Sequence, residues 1–275
     1  MSTALEPLET APPRTAAGRA LRKLLGPRAS ELRWEIQSRL MYAVRHRESR
    51  RALEDLRDRY AGERCFIIGN GPSLRKTDLR LLRGEYTFGL NRINLIFDEL
   101  GFRTSWLVCI NRLVLEQSGD ELSKLPIPKF FGTEGARYVS PEADDVTYLR
   151  SSALAEFSRD LVRGGVWEGA TVTFVAMQLA HWMGFSTAVL VGVDHSFTAK
   201  GPAHKVVTAT EPDADHFHPG YFGAGYRWQL PDLQTSEIAY AAARAAFEAD
   251  GRELLDATVG GKLAVFPKVR LEALF

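Results

Sequence analysis

The stretch Cys65-Phe66-Ile67-Ile68-Gly69-Asn70-Gly71-Pro72-Ser73-Leu74 decides the fold of this chain. An apolar run enters a Gly-Asn-Gly-Pro-Ser turn and then a charged segment with spaced leucines. That layout predicts a buried strand, a tight turn and the first turn of a helix. In an open α/β sheet, the turn after the first strand is where nucleotides bind. Gly69 and Gly71 allow φ > 0 or a close approach to a ligand. Pro72 suits the first helical position, and Ser73 beside it can satisfy free N–H groups that otherwise favour phosphate. A structural strand-to-helix turn without a ligand fits the same letters.

Leu74 stands where a dinucleotide fingerprint needs its third glycine, and no Gly-Lys-Ser/Thr follows, so neither that fingerprint nor a Walker loop is present. At 275 residues and 45% hydrophobic, the chain can bury one sizeable core, alone or with a small appendage. A net charge of +1 gives no nucleic-acid signal and no overall membrane signal. The two cysteines, Cys65 and Cys109, both lie in apolar runs. They read as small core residues, not as a disulfide framework or a zinc site. That usage fits a reducing cytoplasm. The opening residues lack a basic region followed by an apolar one, so no signal peptide is expected. Ala170 to Phe185 is the most apolar stretch but is short for a bilayer and carries Gln178 and His181.

Outward from the decisive turn, strands are expected over 65–68, 86–90, 105–110, 129–131, 188–193 and 253–255, with a further candidate at 263–266. Helices are expected over 76–82, 92–100, 153–163, 173–183 and 235–250. This alternation predicts an α/β, Rossmann-like, mainly parallel sheet with helices on both faces, occupying residues 63–275. Residues 1–17, rich in Ala, Pro, Thr and Glu, are expected to be disordered. Residues 18–62 read as a basic helical extension, split at Pro27, with Leu21, Leu24, Leu25, Leu32, Ile36, Leu40 and Val44 at threes and fours. Its arginines admit two readings. One is a packing helix with a solvated basic face, and the other is a segment lying on anionic lipid.

Candidate chemistry clusters at strand ends. Asn70, Asn91 and Asn111 each follow an expected strand, the last two preceding Arg92 and Arg112, and Asp194 followed by His195 ends another. Amides can donate to and accept from a nucleotide, and arginine suits phosphate. Each asparagine could instead cap a helix or make a turn. Thr171, after Glu168-Gly169-Ala170, opens the most apolar helix and is either a cap or part of an anion-binding amide cluster. Residues 196–234 have little periodicity and read as a lid-like loop carrying Asp213, Asp215, His216 and His218. Histidine there suits a general base. The same histidines and acids could also bind a metal, and Asp213-x-Asp215 spells a D-x-D motif.

Gly69-Asn70-Gly71-Pro72-Ser73-Leu74 resembles the nucleotide-binding turn of bacterial sialyltransferases (glycosyltransferase family 42). A broader set shares that turn: flagellin-modifying motility accessory factors and archaeal 6-hydroxymethylpterin diphosphokinase-like proteins. Asn91, Asn111, the run from Thr171 to Asp194 and the His216–His218 loop follow in the family's order, so the likeness covers most of residues 64–275. It implies an inverting glycosyltransferase with a CMP-activated nonulosonic acid donor and a glycan or glycoconjugate acceptor. Gly69, Asn70, Gly71, Pro72, Ser73, Asn91, Asn111 and Thr171 would hold the nucleotide donor. His218 or His216 would act as base, with Asp194 nearby. No cofactor or metal would then be required. The sequence departs from the family where His195-Ser196-Phe197-Thr198-Ala199-Lys200 lacks tyrosines and where Trp167-Glu168 replaces an arginine. The diphosphokinase branch would instead need Mg²⁺, with Asp194 and Asp215 as ligands. A non-catalytic nucleotide- or sugar-binding module is a third reading. A cytoplasmic location is expected, with peripheral contact at the inner face of the membrane through residues 19–60 left open. Oligomerisation is left open too.

Overall fold

The structure, a computed structural model, describes residues 33–211 and 213–275. The expectations for residues 1–32, disorder over 1–17 and a helix break at Pro27, lie outside the described residues. Seven strands form one parallel sheet: β1 (Arg64–Ile68), β2 (Tyr86–Leu90), β3 (Trp106–Cys109), β4 (Lys129–Gly132), β5 (Val146–Leu149), β6 (Thr187–Val191) and β9 (Glu253–Asp256). Their order is β5-β4-β3-β2-β1-β6-β9. The short strands β7 (Val206–Thr208) and β8 (Arg227–Gln229) pair separately as an antiparallel ribbon. The sheet is thus doubly wound: β2 lies on one side of β1, and the chain later returns to place β6 on the other.

The central strands are apolar runs because both their faces are covered. Cys65, Phe66, Ile67 and Ile68 of β1 and Leu190 and Val191 of β6 are fully buried. On one face pack α1 (Arg47–Leu56), α3 (Val172–Trp182) and α4 (Leu233–Ala249), with Leu53, Phe174, Met177 and Phe247 in the core. On the other lie α2 (Arg112–Ser123) and several 3₁₀ turns, with Leu74, Leu79, Ile93, Val114 and Leu122. Helix α3 is buried almost all round, as its sequence requires. Among the described residues no helix is long and apolar enough to cross a membrane.

Several expected elements take other forms. Residues 76–82 and 92–100 are not continuous α-helices. They contain the 3₁₀ turns Pro72–Lys76, Leu79–Leu82 and Ile93–Ile96, followed by a single turn at Phe97–Leu100. In the second of these the Asp78 side chain accepts from the Arg80 N–H, closing the turn locally. Residues 153–163 form no helix. Asp160 Oδ1 takes the N–H groups of Val162 and Arg163, and Gln178 Oε1 takes that of Ser158, so side chains replace the helical ladder. Residues 263–266 form no strand, although Leu263 and Phe266 are buried against the core. The structure adds β5, β7, β8 and α2.

Residues 33–45 are helical and, with α1, cover the β5 edge of the sheet. Here the polar side chains point inward. Tyr42 donates to the Tyr148 carbonyl at 2.6 Å, and Ser49 Oγ accepts from the Tyr148 N–H at 3.0 Å. They satisfy an edge strand that would otherwise present free backbone groups. Glu35 pairs with Arg150 at 2.9 Å, and both side chains are buried. Burial alone would raise the Glu35 carboxyl, but hydrogen bonds from Arg150, Arg39 and the Ala153 N–H hold it below its ordinary value of 4.5. Removing one partner leaves a buried charge alone, so Glu35→Ala should cost about 3–5 kcal/mol in urea unfolding. A loss below about 1 kcal/mol would contradict the anchoring role. Because the folded-state pKa is depressed, this contribution should be complete above pH 4.5 and fade as pH falls through the folded-state value.

Candidate functional site

Adjacent parallel strands whose chains leave in opposite directions open a crevice at their C-terminal ends. Here those strands are β1 and β6. The Gly69 N–H donates to the Val191 carbonyl at 2.8 Å and the Gly71 N–H to the Gly192 carbonyl at 2.9 Å, knitting the two strand ends together. A Cβ at Gly69 would lie 2.4 Å from the Gly192 oxygen, and one at Gly71 would lie 1.8 Å from Asp194 Oδ2. Gly69 and Gly71 are not left-handed, so of the two uses of glycine open to them φ > 0 is not taken. The close approach their missing side chains permit is to the chain itself.

Pro72 does occupy the start of the turn Pro72–Lys76. The anion there is protein: Asp194 Oδ1 accepts from the Ser73 N–H at 3.2 Å and Oδ2 from Ser73 Oγ at 2.5 Å. Burial raises the Asp194 carboxyl above its usual range, and the two Ser73 bonds offset only part of that. The position the sequence offers to a ligand phosphate is therefore filled by this carboxylate.

The rest of the turn opens into a cleft of about 640 Å³, a volume typical of small-molecule sites. Gly69, Asn70, Gly71, Asn91, Asn111, Thr171, Asp194 and His216 all line it, while Pro72, Ser73 and His218 do not. Asn70 and Asn91 are its most telling residues. The Oδ1 atom of each is buried with no hydrogen-bond partner, and Asn91 holds a left-handed backbone at φ 47°. Buried amide oxygens without partners are rare and costly. Asn111 differs: its Oδ1 caps α2 by accepting from Leu113 N at 2.9 Å and Val114 N at 3.4 Å. The two arginines after asparagine also part company. Arg112 reaches the cleft, with Glu116 3.9 Å away. Arg92 turns aside, donating to the Gly220 carbonyl at 3.1 Å and to the Tyr221 carbonyl.

That arginine is one of several staples on the long loop. Arg75 Nε donates to the Phe217 carbonyl at 2.7 Å, the Phe217 N–H donates to the Asn70 carbonyl at 2.9 Å, and Phe217 and Tyr221 are buried. The loop thereby fixes His216 at the cleft wall. Its ring stacks on Tyr221 with centroids 4.0 Å apart, and its Nδ1 lies 2.7 Å from Asp213 Oδ2. Burial alone would raise the Asp213 carboxyl, but His216 and the N–H groups of Asp215 and Phe222 hold it below its ordinary range. An ionised Asp213 makes Nδ1 the nitrogen that carries a proton toward it. His218 Nδ1 accepts from the Gly220 N–H at 3.0 Å.

On the opposite wall Thr171 caps α3, accepting from the Thr173 N–H at 3.3 Å. Gly169 and Ala170 before it are both left-handed, at φ 53° and 57°. Two further groups reach the cleft: His195, which follows Asp194 at the strand end, and Glu168, which stands before Gly169 and Thr171. His195, left-handed and directly after Asp194, pairs with Glu237 at 2.9 Å. The Glu168 carboxyl is pushed up by burial and by the charge of Glu134, against a bond from Ser151. The position of His195 at a strand end was the signal available for it. Glu237 is distant in sequence and gave none. Among the described residues no three His, Cys, Asp or Glu side chains come together as a metal site. Asp215 takes the Thr198 N–H at 2.7 Å.

The chain matches no family model and no curated protein. Among solved structures it is similar to that of the MAf glycosyltransferase from Magnetospirillum magneticum AMB-1, with 16% identity and a TM-score of 0.49 over 84% of this chain. The chain spans 39% of the length of that protein. At that level of similarity no activity passes from one to the other.

The crevice should tolerate no side chain at its seam. Gly71→Ala should lower stability by about 1–3 kcal/mol, because the new methyl must displace Asp194 from Ser73. An unchanged melting temperature would contradict this packing.

Proposed function

We propose that this protein is a glycosyltransferase that takes a CMP-activated, nonulosonic acid-type sugar as donor and transfers it with inversion. The observation that carries the reading is the pair of unpartnered buried oxygens, Asn70 Oδ1 and Asn91 Oδ1, beside the oriented base His216. Amide oxygens accept hydrogen bonds, so a ligand that engages them brings N–H or O–H donors. A nucleoside does so through its ribose hydroxyls and base amino group, whereas a bare phosphate does not.

Charge favours a monophosphate donor. Glu134, Glu168, Asp194, Asp215 and Asp232 line the cleft against Arg112 and Arg227, and Arg227 is paired with Glu116 at 2.8 Å. Such a surface opposes a nucleoside triphosphate unless cations accompany it. A CMP-sugar carries one phosphodiester, which Arg112 and the N-terminus of α3 can face. Asp194 and Asp215, which a Mg²⁺-dependent pyrophosphoryl transfer would draw on, already hold protein donors.

In this reading the acceptor hydroxyl attacks the anomeric carbon from the face opposite the phosphate. The carbon–oxygen bond to phosphate breaks, and CMP leaves with the electron pair. His216 Nε2 takes the hydroxyl proton, and Asp213 stabilises the imidazolium that results. The charge developing on the leaving phosphate falls toward Arg112 and the free Val172 N–H region of α3.

CMP release from a panel of CMP-nonulosonic acids tests this. His216→Ala should lower turnover about 100-fold or more, while His218→Ala should stay near wild type. Full activity in His216→Ala removes the base assignment. Nucleotide binding without turnover of any donor would favour a binding module instead.

A further inference from the structure

The helix over residues 33–45 turns polar side chains toward the protein and exposes five large apolar ones to solvent, among Arg33, Gln37, Arg39 and Arg45. Its inward side chains Glu35, Ser38 and Tyr42 bond to Arg150 and to the β5 edge. Its outward ones are Trp34, Ile36, Leu40, Met41 and Val44, from 41% to 65% exposed. Ile36, Leu40 and Val44 follow one another at intervals of four and form a stripe, with Met41 and Trp34 beside it. They are five of the eleven large hydrophobic side chains exposed among the described residues. Apolar exposure concentrated on one short helix in this way marks an interaction site.

The charges around the stripe identify the occupant. Arg33, Arg45, Arg47 and Arg51 are exposed, as is Arg39 although it pairs with Glu35, and Glu48 is the one exposed acid between residues 33 and 51. A second copy of this helix would bring arginines against arginines. The stretch preceding it would do the same, since Arg14, Arg19, Arg22, Lys23 and Arg28 occur with no acid between residues 10 and 30. An anionic lipid surface satisfies both components, taking the apolar stripe among its acyl chains and the arginines at its headgroups. We propose that residues 33–45 dock this protein on anionic membranes, held in place by the Glu35–Arg150 pair. The tryptophan at the start of the stripe suits the interface between headgroup and acyl chain. The inference stands whichever reaction the cleft performs.

Sedimentation of the full chain with vesicles of phosphatidylcholine, with and without phosphatidylglycerol, tests it. The protein should pellet with the anionic vesicles and remain in solution with the neutral ones, and high salt should release it. The double substitution Leu40→Asp, Val44→Asp should lower the bound fraction about tenfold or more without changing the melting temperature. Tryptophan emission should shift to the blue on adding anionic vesicles, and Trp34→Phe should remove that shift. Failure to pellet, or equal binding by the double variant, overturns the proposal. So does a melting temperature several degrees lower in that variant, which would mean that the chain itself covers the stripe. A dimer that the double variant abolishes, without vesicle binding, overturns it in favour of a second copy.

Discussion

The contact between the ends of β1 and β6 is the constraint on which the rest of the site depends. Two backbone hydrogen bonds bind Gly69 and Gly71 to β6 and the residue after it, and neither glycine leaves room for a methyl group. That seam carries Asp194 to Ser73 and leaves Asn70 on the cleft side. The same turn receives the long loop, because the Asn70 carbonyl accepts the Phe217 N–H. One tight crossing therefore positions an amide from β1, a carboxylate from β6 and, through Phe217, the imidazole of the neighbouring His216. A doubly wound sheet concentrates function at its switch point because only there do two strand ends diverge far enough to admit a ligand yet stay close enough to share one.

The electrostatics of the cleft follow from which groups are already satisfied. Asp194, Asp213 and Asp215 face the chain's own N–H and O–H groups, and His195, His204 and His216 each sit beside a carboxylate. Among the residues that line the cleft, the buried acceptors without a protein partner are Asn70 Oδ1 and Asn91 Oδ1. A ligand there gains most by donating hydrogen bonds, which separates nucleoside recognition from simple phosphate capture. Burial and the charge of Glu134 push the Glu168 carboxyl above its ordinary range.

The sequence made the central sheet legible because strands buried on both faces are apolar throughout. Cys65–Ile68 and Thr187–Val191 announce themselves in this way. Edge strand β5 stayed hidden because Val146-Thr147-Tyr148 is only half-buried and has its outer groups satisfied by Tyr42 and Ser49, about a hundred residues earlier. Helix α2 escaped notice because Gly119 interrupts its pattern, and that glycine is there to let the Tyr138 carbonyl approach. At the site, strand-end position alone picked out Asn70 and Asn91. It could not distinguish them from Asn111, which spends its oxygen on a cap, nor Arg112 from Arg92, which clamps a loop more than a hundred residues away. The basic helix was legible as amphipathic, but its orientation was not. The Glu35–Arg150 pair and the Tyr42 bond to Tyr148 reveal that its polar side faces inward.

The proposed function stands on recognition of a nucleoside monophosphate by Asn70 and Asn91 in the crevice between β1 and β6. Calorimetric titration with CMP in the absence of metal, set beside titration with an ATP analogue and Mg²⁺, tests it most directly. The account predicts that CMP binds without metal and that Asn70→Ala weakens it about tenfold or more, the cost of one lost buried hydrogen bond. Binding of the ATP analogue alone, and only with Mg²⁺, would contradict the account, as would CMP affinity that is indifferent to both asparagines.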